Sequence, residues 1–223
     1  MTEAEWNCCA DPEKMLNWLR DSGTVSDRKV RLFGTACCRR IWRLLRDEYG
    51  TMAVEAAERY ADGQLGPDQL AQASFRAYEV FDTADEDPFE LRAYLAAEAL
   101  GDPSQPCATD AAKCAASYAA QVTRTEREEE RAQANLLRDI LGNPFRDVTF
   151  DPTWRTPIVL SRAKLVYDER RLPAGTLVPA LLAALADALQ GAGCDKSEIL
   201  THLRSPARHV RGCWAVDLIL DRN

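Results

Sequence analysis

The chain has 223 residues, of which 46% are hydrophobic and 28% charged, enough for one large domain or two small ones around a buried core. Asp and Glu number 35 against 28 Lys and Arg, and the formal charge of −7 weighs against attraction of the whole molecule to nucleic acid or anionic lipid. No stretch approaches the roughly 18–20 apolar residues of a membrane span, and the acidic start lacks the pattern of a signal peptide, so a cytoplasmic protein with no membrane contact is expected.

In chain order the periodicity is helical almost throughout. Asp11 is a plausible N-cap, with Pro12 at the tolerated first position and Leu16, Trp18 and Leu19 following. A long helix is predicted from about Ser26 to Tyr49, closed by Gly50. Others follow over Met52–Asp62, Pro67–Thr83 and Phe89–Leu100. Pro103 and Pro106 bracket an irregular stretch, the best boundary between lobes 1–102 and 107–223 of a single helical domain over 1–223. The longest pattern runs from about Thr109 to Leu141, ended by Gly142-Asn143-Pro144. After an irregular segment, helices are predicted over Pro157–Arg170, Thr176–Gln190, Asp195–Arg204 and Arg211–Asp221, with Asp195 and Glu198 spaced as a capping box. No alternating run suggests a sheet, so the expected fold is all-α, a compact bundle of nine or ten helices.

Eight cysteines would suit a disulfide scaffold, but the adjacent pairs Cys8-Cys9 and Cys37-Cys38 and the absence of an export signal predict free thiols packed as small hydrophobes. In the helix from Asp27, Val30, Phe33, Cys37, Ile41, Leu44 and Leu45 share one face. Arg28, Lys29, Arg31, Arg39, Arg40, Arg43 and Arg46 cover most of the other. Arg39, Arg40, Arg43 and Arg46 are thus a candidate anion-binding strip, weighed against pairing with the chain's own carboxylates; with no stacking platform beside them, nucleic acid is not the expected partner. The run Glu126 to Glu130 reads as a solvated helix face.

Both histidines fall near the C-terminus with two cysteines, as Cys194-x7-His202-x6-His209-x3-Cys213. Thiolate and imidazole are ordinary zinc ligands, although this spacing matches no established zinc signature. Cys194 and His202 lie about 12 Å apart along one predicted helix, too far to share an ion. His202, His209 and Cys213 remain the candidate metal ligands, with a fourth from Cys8, Cys9 or elsewhere. The competing reading pairs His202 with Glu198, has His209 bond the backbone at Ser205-Pro206 or cap the following helix, and leaves Cys213 to open an apolar helix. Cys213, His209 and Asp217 have a spacing that permits a nucleophile triad and nothing more. No phosphate loop, nucleophile elbow or zinc-protease motif is present, so catalytic residues are not assigned and the chain is not expected to be an enzyme.

Four blocks, Asp27–Trp42, Leu136–Arg146, Tyr167–Arg170 and His209–Leu220, resemble a family of short, uncharacterised bacterial proteins. The resemblance implies a bacterial source and a Cys/His-rich tail, and brings no reaction, cofactor or partner with it. From the residues themselves, a helical module that binds another protein or itself is the leading expectation. A zinc-binding protein using the C-terminal cluster is the alternative, and an anion binder acting through the basic helix the third.

Overall fold

The computed structural model describes residues 1–23, 25–45, 48–83, 96–97, 100–101, 108–122 and 125–222. The fold is all-α. Eleven α-helices and two short 3-10 turns are present among the described residues, and β-pairing is limited to isolated bridges of Arg171 with Thr176 and of Thr176 with Val210. No described helix is long and apolar enough to cross a membrane. The chain divides into two compact units, Met1–Leu137 and Arg138–Asn223. The Pro103–Pro106 stretch, where the sequence suggests a boundary, lies outside the described residues, as does most of the Phe89–Leu100 helix.

The first unit contains α1 (Glu3–Cys8), α2 (Pro12–Ser22), α3 (Asp27–Arg40), α4 (Glu48–Ala61), α5 (Pro67–Thr83), α6 (Ala108–Gln121) and most of α7 (Glu126–Leu141). Thr2 and Glu5 cap α1 reciprocally. Asp11 caps α2, its carboxylate accepting from the Lys14 N–H at 2.9 Å, with Pro12 in the first turn as expected. Helix α3 is buried against the alanine-rich face of α6, formed by Ala111, Ala112, Ala115, Ala116 and Ala119. Gly34 lets the two backbones approach: a Cβ there would stand 3.3 Å from the Ala112 Cα and 2.7 Å from Leu100.

Two long helices expected from periodicity are broken. After Arg40 the chain tightens into a 3-10 turn over Trp42–Leu44, with the Ile41, Leu44 and Leu45 N–H groups bonding three residues back. The tighter turn brings both Ile41 and Leu45 into the core. Neither glycine nor proline marks the break, and the apolar spacing runs straight across it. Likewise the Thr109–Leu141 pattern is two helices, α6 and α7, with a turn at Val122 and a restart at Glu126.

The cations of α3 are largely internal. Arg28 pairs with Asp62 at 2.9 Å. Arg39, 4% exposed, grips Glu58 through two hydrogen bonds of 2.6 and 2.8 Å and stacks on the Trp42 ring. Arg40 holds Glu129 in the same bidentate manner at 2.6 and 2.7 Å. Glu129 is therefore buried rather than part of a solvated face. Arg39 and Arg40 are committed to these carboxylates, Arg43 is exposed, and Arg46 lies outside the described residues.

The second unit continues from the end of α7 through α8 (Pro157–Asp168), α9 (Pro179–Gly191), α10 (Ser197–Leu203) and α11 (Trp214–Leu220). Its core joins Val159, Ala163 and Val166 of α8 to Leu182, Leu185 and Leu189 of α9, Ile199 and Leu203 of α10, and Val216 and Ile219 of α11. Helix α10 starts two residues later than expected. Lys196 occupies the N-cap position without a side-chain bond, so Asp195 and Glu198 do not form a capping box. The seven described cysteines are all free thiols, and Cys37, Cys38, Cys194 and Cys213 are buried. Burial pushes the Cys38 thiol up to about 12, where it packs as a neutral group.

The Arg39–Glu58 pair sets a test of this packing. Glu58→Ala strands a buried guanidinium and is expected to cost about 3–5 kcal/mol. Arg43→Ala, on the surface, is expected to stay within about 0.5 kcal/mol. Urea unfolding followed by circular dichroism measures both.

Candidate metal centre

Asp139, His202, His209 and Cys213 converge in the second unit, with one donor atom from each lying within 4.8 Å of all the others. Asp139 sits near the end of α7, His202 on the last turn of α10, His209 in the connection to α11, and Cys213 at the N-cap of α11. Local backbone fixes each of them. Helix α7 stops at Gly142, whose φ of +70° favours glycine and where a Cβ would come within 3.1 Å of the Trp214 ring. That ring packs on His202, 5.0 Å between centroids. The His209 segment is pinned by the Leu177 N–H donating to the His209 carbonyl at 2.9 Å and by the Thr176–Val210 bridge. Gly212, at φ +91°, turns the chain into Cys213.

One carboxylate oxygen organises the cluster. Asp139 Oδ1 lies 2.6 Å from His209 Nδ1 and 3.2 Å from His202 Nε2, while its Oδ2 accepts the Val210 N–H at 2.8 Å. Cys213 Sγ lies 3.1 Å from His202 Nε2 and 4.0 Å from His209 Nδ1. The remaining nitrogen of His209, Nε2, faces the Ser205 carbonyl at 3.3 Å. Asp139, His209 and Cys213 are buried, and the His202 side chain, 19% exposed, is the one open edge.

The charges follow from these contacts. Burial works against an ionised Asp139, but the hydrogen bonds and charges of His202 and His209 outweigh it and hold the carboxyl below its usual range. Burial also works against a charged His209. The hydrogen bond and charge of Asp139, with the Ser205 carbonyl, nonetheless raise its pKa above the ordinary imidazole value.

The donor set fits a metal ion. Carboxylate, two imidazoles and a thiol are the types zinc takes, and the bond lengths of a tetrahedral site put its donors roughly 3.3–3.7 Å apart. The separations of 2.6, 3.1 and 3.2 Å are shorter than that and the 4.0 Å one longer, so an ion would need Asp139 and His209 to part slightly. The supporting contacts suit a metal site as well: the Ser205 carbonyl accepts from Nε2, an ion would replace the Nδ1 proton that bridges to Asp139, and Val210 N–H orients the carboxylate.

The structure thus brings together His202, His209 and Cys213, the three candidates from the sequence, and supplies Asp139 as the fourth donor in place of Cys8 or Cys9. Cys194 stands apart in the core. His202 meets Asp139 and Cys213 rather than Glu198, whereas the bond of His209 to the backbone at Ser205 is as expected. Asp217 is not the acid of a triad. It is buried and accepts from the Tyr167 hydroxyl at 2.5 Å, and that oxygen in turn accepts the Gly212 N–H at 3.0 Å. The signal for Asp139 lies in α7, where it stands on the buried face with Leu136 and Ile140, a position at which a lone carboxylate needs partners.

The Tyr167 hydroxyl ties the backbone just before Cys213 to α11. Tyr167→Phe leaves the Asp217 carboxylate and the Gly212 N–H short of a partner, and an expected loss of about 1–3 kcal/mol follows. Thermal unfolding of the variant against the parent chain reads it. No protein-family model, no curated protein and no solved structure matches this chain.

Proposed function

We propose that this chain is a zinc protein in which one ion, held by Asp139, His202, His209 and Cys213, fastens the helices of the second unit. The observation that carries this reading is the convergence of four zinc-type donors from three helices and a loop within 4.8 Å. The role is structural. Four protein donors complete a tetrahedral shell and leave no position for substrate, and a thiol buried as deeply as Cys213 is not placed to attack one. When bound, the ion supplies charge and fixed geometry; the chain supplies the orientation of each ligand.

Protein purified without chelator is expected to carry one zinc per chain by native mass spectrometry. A strong chelator is expected to strip it and lower the unfolding temperature, because the binding energy of such a site is folding energy. Cobalt in its place is expected to give the visible bands of a tetrahedral site and a thiolate charge-transfer band that Cys213→Ser removes. Asp139→Ala and His209→Ala are expected to lose stoichiometric metal. A chain that stays metal-free when supplied with zinc, with an unfolding temperature indifferent to the ion, counts against the reading.

A second reading, that the zinc-fastened unit binds another protein, is favoured by Ile158 and Leu165. They lie seven residues apart on one side of α8, at 63% and 42% exposure. Replacing both with Glu is expected to abolish any self-association seen by light scattering or any partner captured by the parent chain.

A further inference from the structure

Helices α4 and α5 pack side by side in the first unit and leave a cleft of about 240 Å³. Ala56 from α4, Leu65 from the turn and the exposed Met52 give it apolar surface, beside the polar groups of Tyr49, Gln69 and Gln72. Arg59 and Arg76, one from each helix, line the same cleft. Among the described residues neither guanidinium makes a hydrogen bond or an ion pair, whereas Arg28, Arg39 and Arg40 of this unit each hold a carboxylate at 2.6–2.9 Å. Glu55 also lines the cleft, four residues before Arg59, and pairs with neither arginine.

We propose that this cleft binds a small organic monocarboxylate with an apolar body. Two guanidinium groups focus positive potential on a concave surface of an otherwise acidic chain, and their forked N–H donors match carboxylate oxygens. Two arginines against one glutamate leave a single positive charge, which one carboxylate balances and a dianion exceeds. The apolar surface of Met52, Ala56 and Leu65 takes the body of the ligand. The volume falls below the roughly 300 Å³ at which drug-sized pockets begin, which limits that body to a single ring or a short chain. The site lies wholly in the first unit and is independent of the metal centre.

Benzoate is the probe, titrated into the full zinc-supplied chain with amide shifts recorded by NMR. Saturable shifts confined to α4 and α5 are expected below about 10 mM. Arg59→Gln and Arg76→Gln are each expected to weaken binding by about tenfold, the rest of the spectrum showing that the variants are folded. Benzyl alcohol, with the same body and no charge, is expected not to saturate. Absence of saturable shifts with benzoate, equal binding by the double variant, or tighter binding of phenyl phosphate or inorganic phosphate than of benzoate would each overturn the proposal.

Discussion

The second unit depends on the Asp139 carboxylate. It draws in His202, His209 and the Val210 backbone, and with them the last turn of α10 and the entry to α11. A buried carboxylate of this kind is costly unless every lone pair is used. That constraint explains the surroundings: a glycine stop just beyond it at Gly142, a tryptophan closing over His202, and a loop at 204–213 fixed by the Leu177–His209 bond rather than by a sheet. Without Asp139 the two imidazoles would lose the group they share, leaving His209 to the Ser205 carbonyl and His202 to the Trp214 ring.

The first unit answers the same problem with arginine. Helix α3 carries a dense set of cations, yet Arg39 and Arg40 turn inward because Glu58 and Glu129 are available from α4 and α7 in bidentate geometry. Buried pairs like these add little net stability compared with a well-packed apolar contact, but losing one partner is severe. They act as register pins, since a helix that slides by one turn loses both hydrogen bonds. The alanine face of α6 does the rest by letting α3 approach at Gly34.

Periodicity made the all-α class and most helices legible, because a 3.6-residue apolar spacing has few other outcomes. The ends of α2 and α5 were readable from Asp11-Pro12 and Pro67, where the chemistry of a cap or of proline is local. The breaks at Arg40 and Val122 were not, since they arise from tertiary packing that no nearby glycine or proline announces. Three members of the Asp/His/Cys cluster were legible because histidine is scarce in this chain and cysteine stood beside it. Asp139, some sixty residues away in an unremarkable acidic background, was hidden by sequence distance. Only its place on a buried helix face distinguishes it from the many solvated carboxylates.

Charge balance separates a metal centre from a hydrogen-bonded cluster of the same residues. In the bare arrangement, one Asp139 oxygen faces both imidazoles, and the thiol lies 3.1 Å from His202 Nε2 and 4.0 Å from His209 Nδ1. Only one of those imidazoles is needed to neutralise the carboxylate. A divalent ion changes the account. Carboxylate and thiolate together carry two negative charges, the imidazoles ligate as neutral groups, and the site as a whole becomes neutral in its low-dielectric surroundings. The Ser205 carbonyl and Val210 N–H then keep the roles they already hold. The buried nitrogens and oxygens of the cluster already have hydrogen-bond partners, so what the proposed ion would add is charge neutrality.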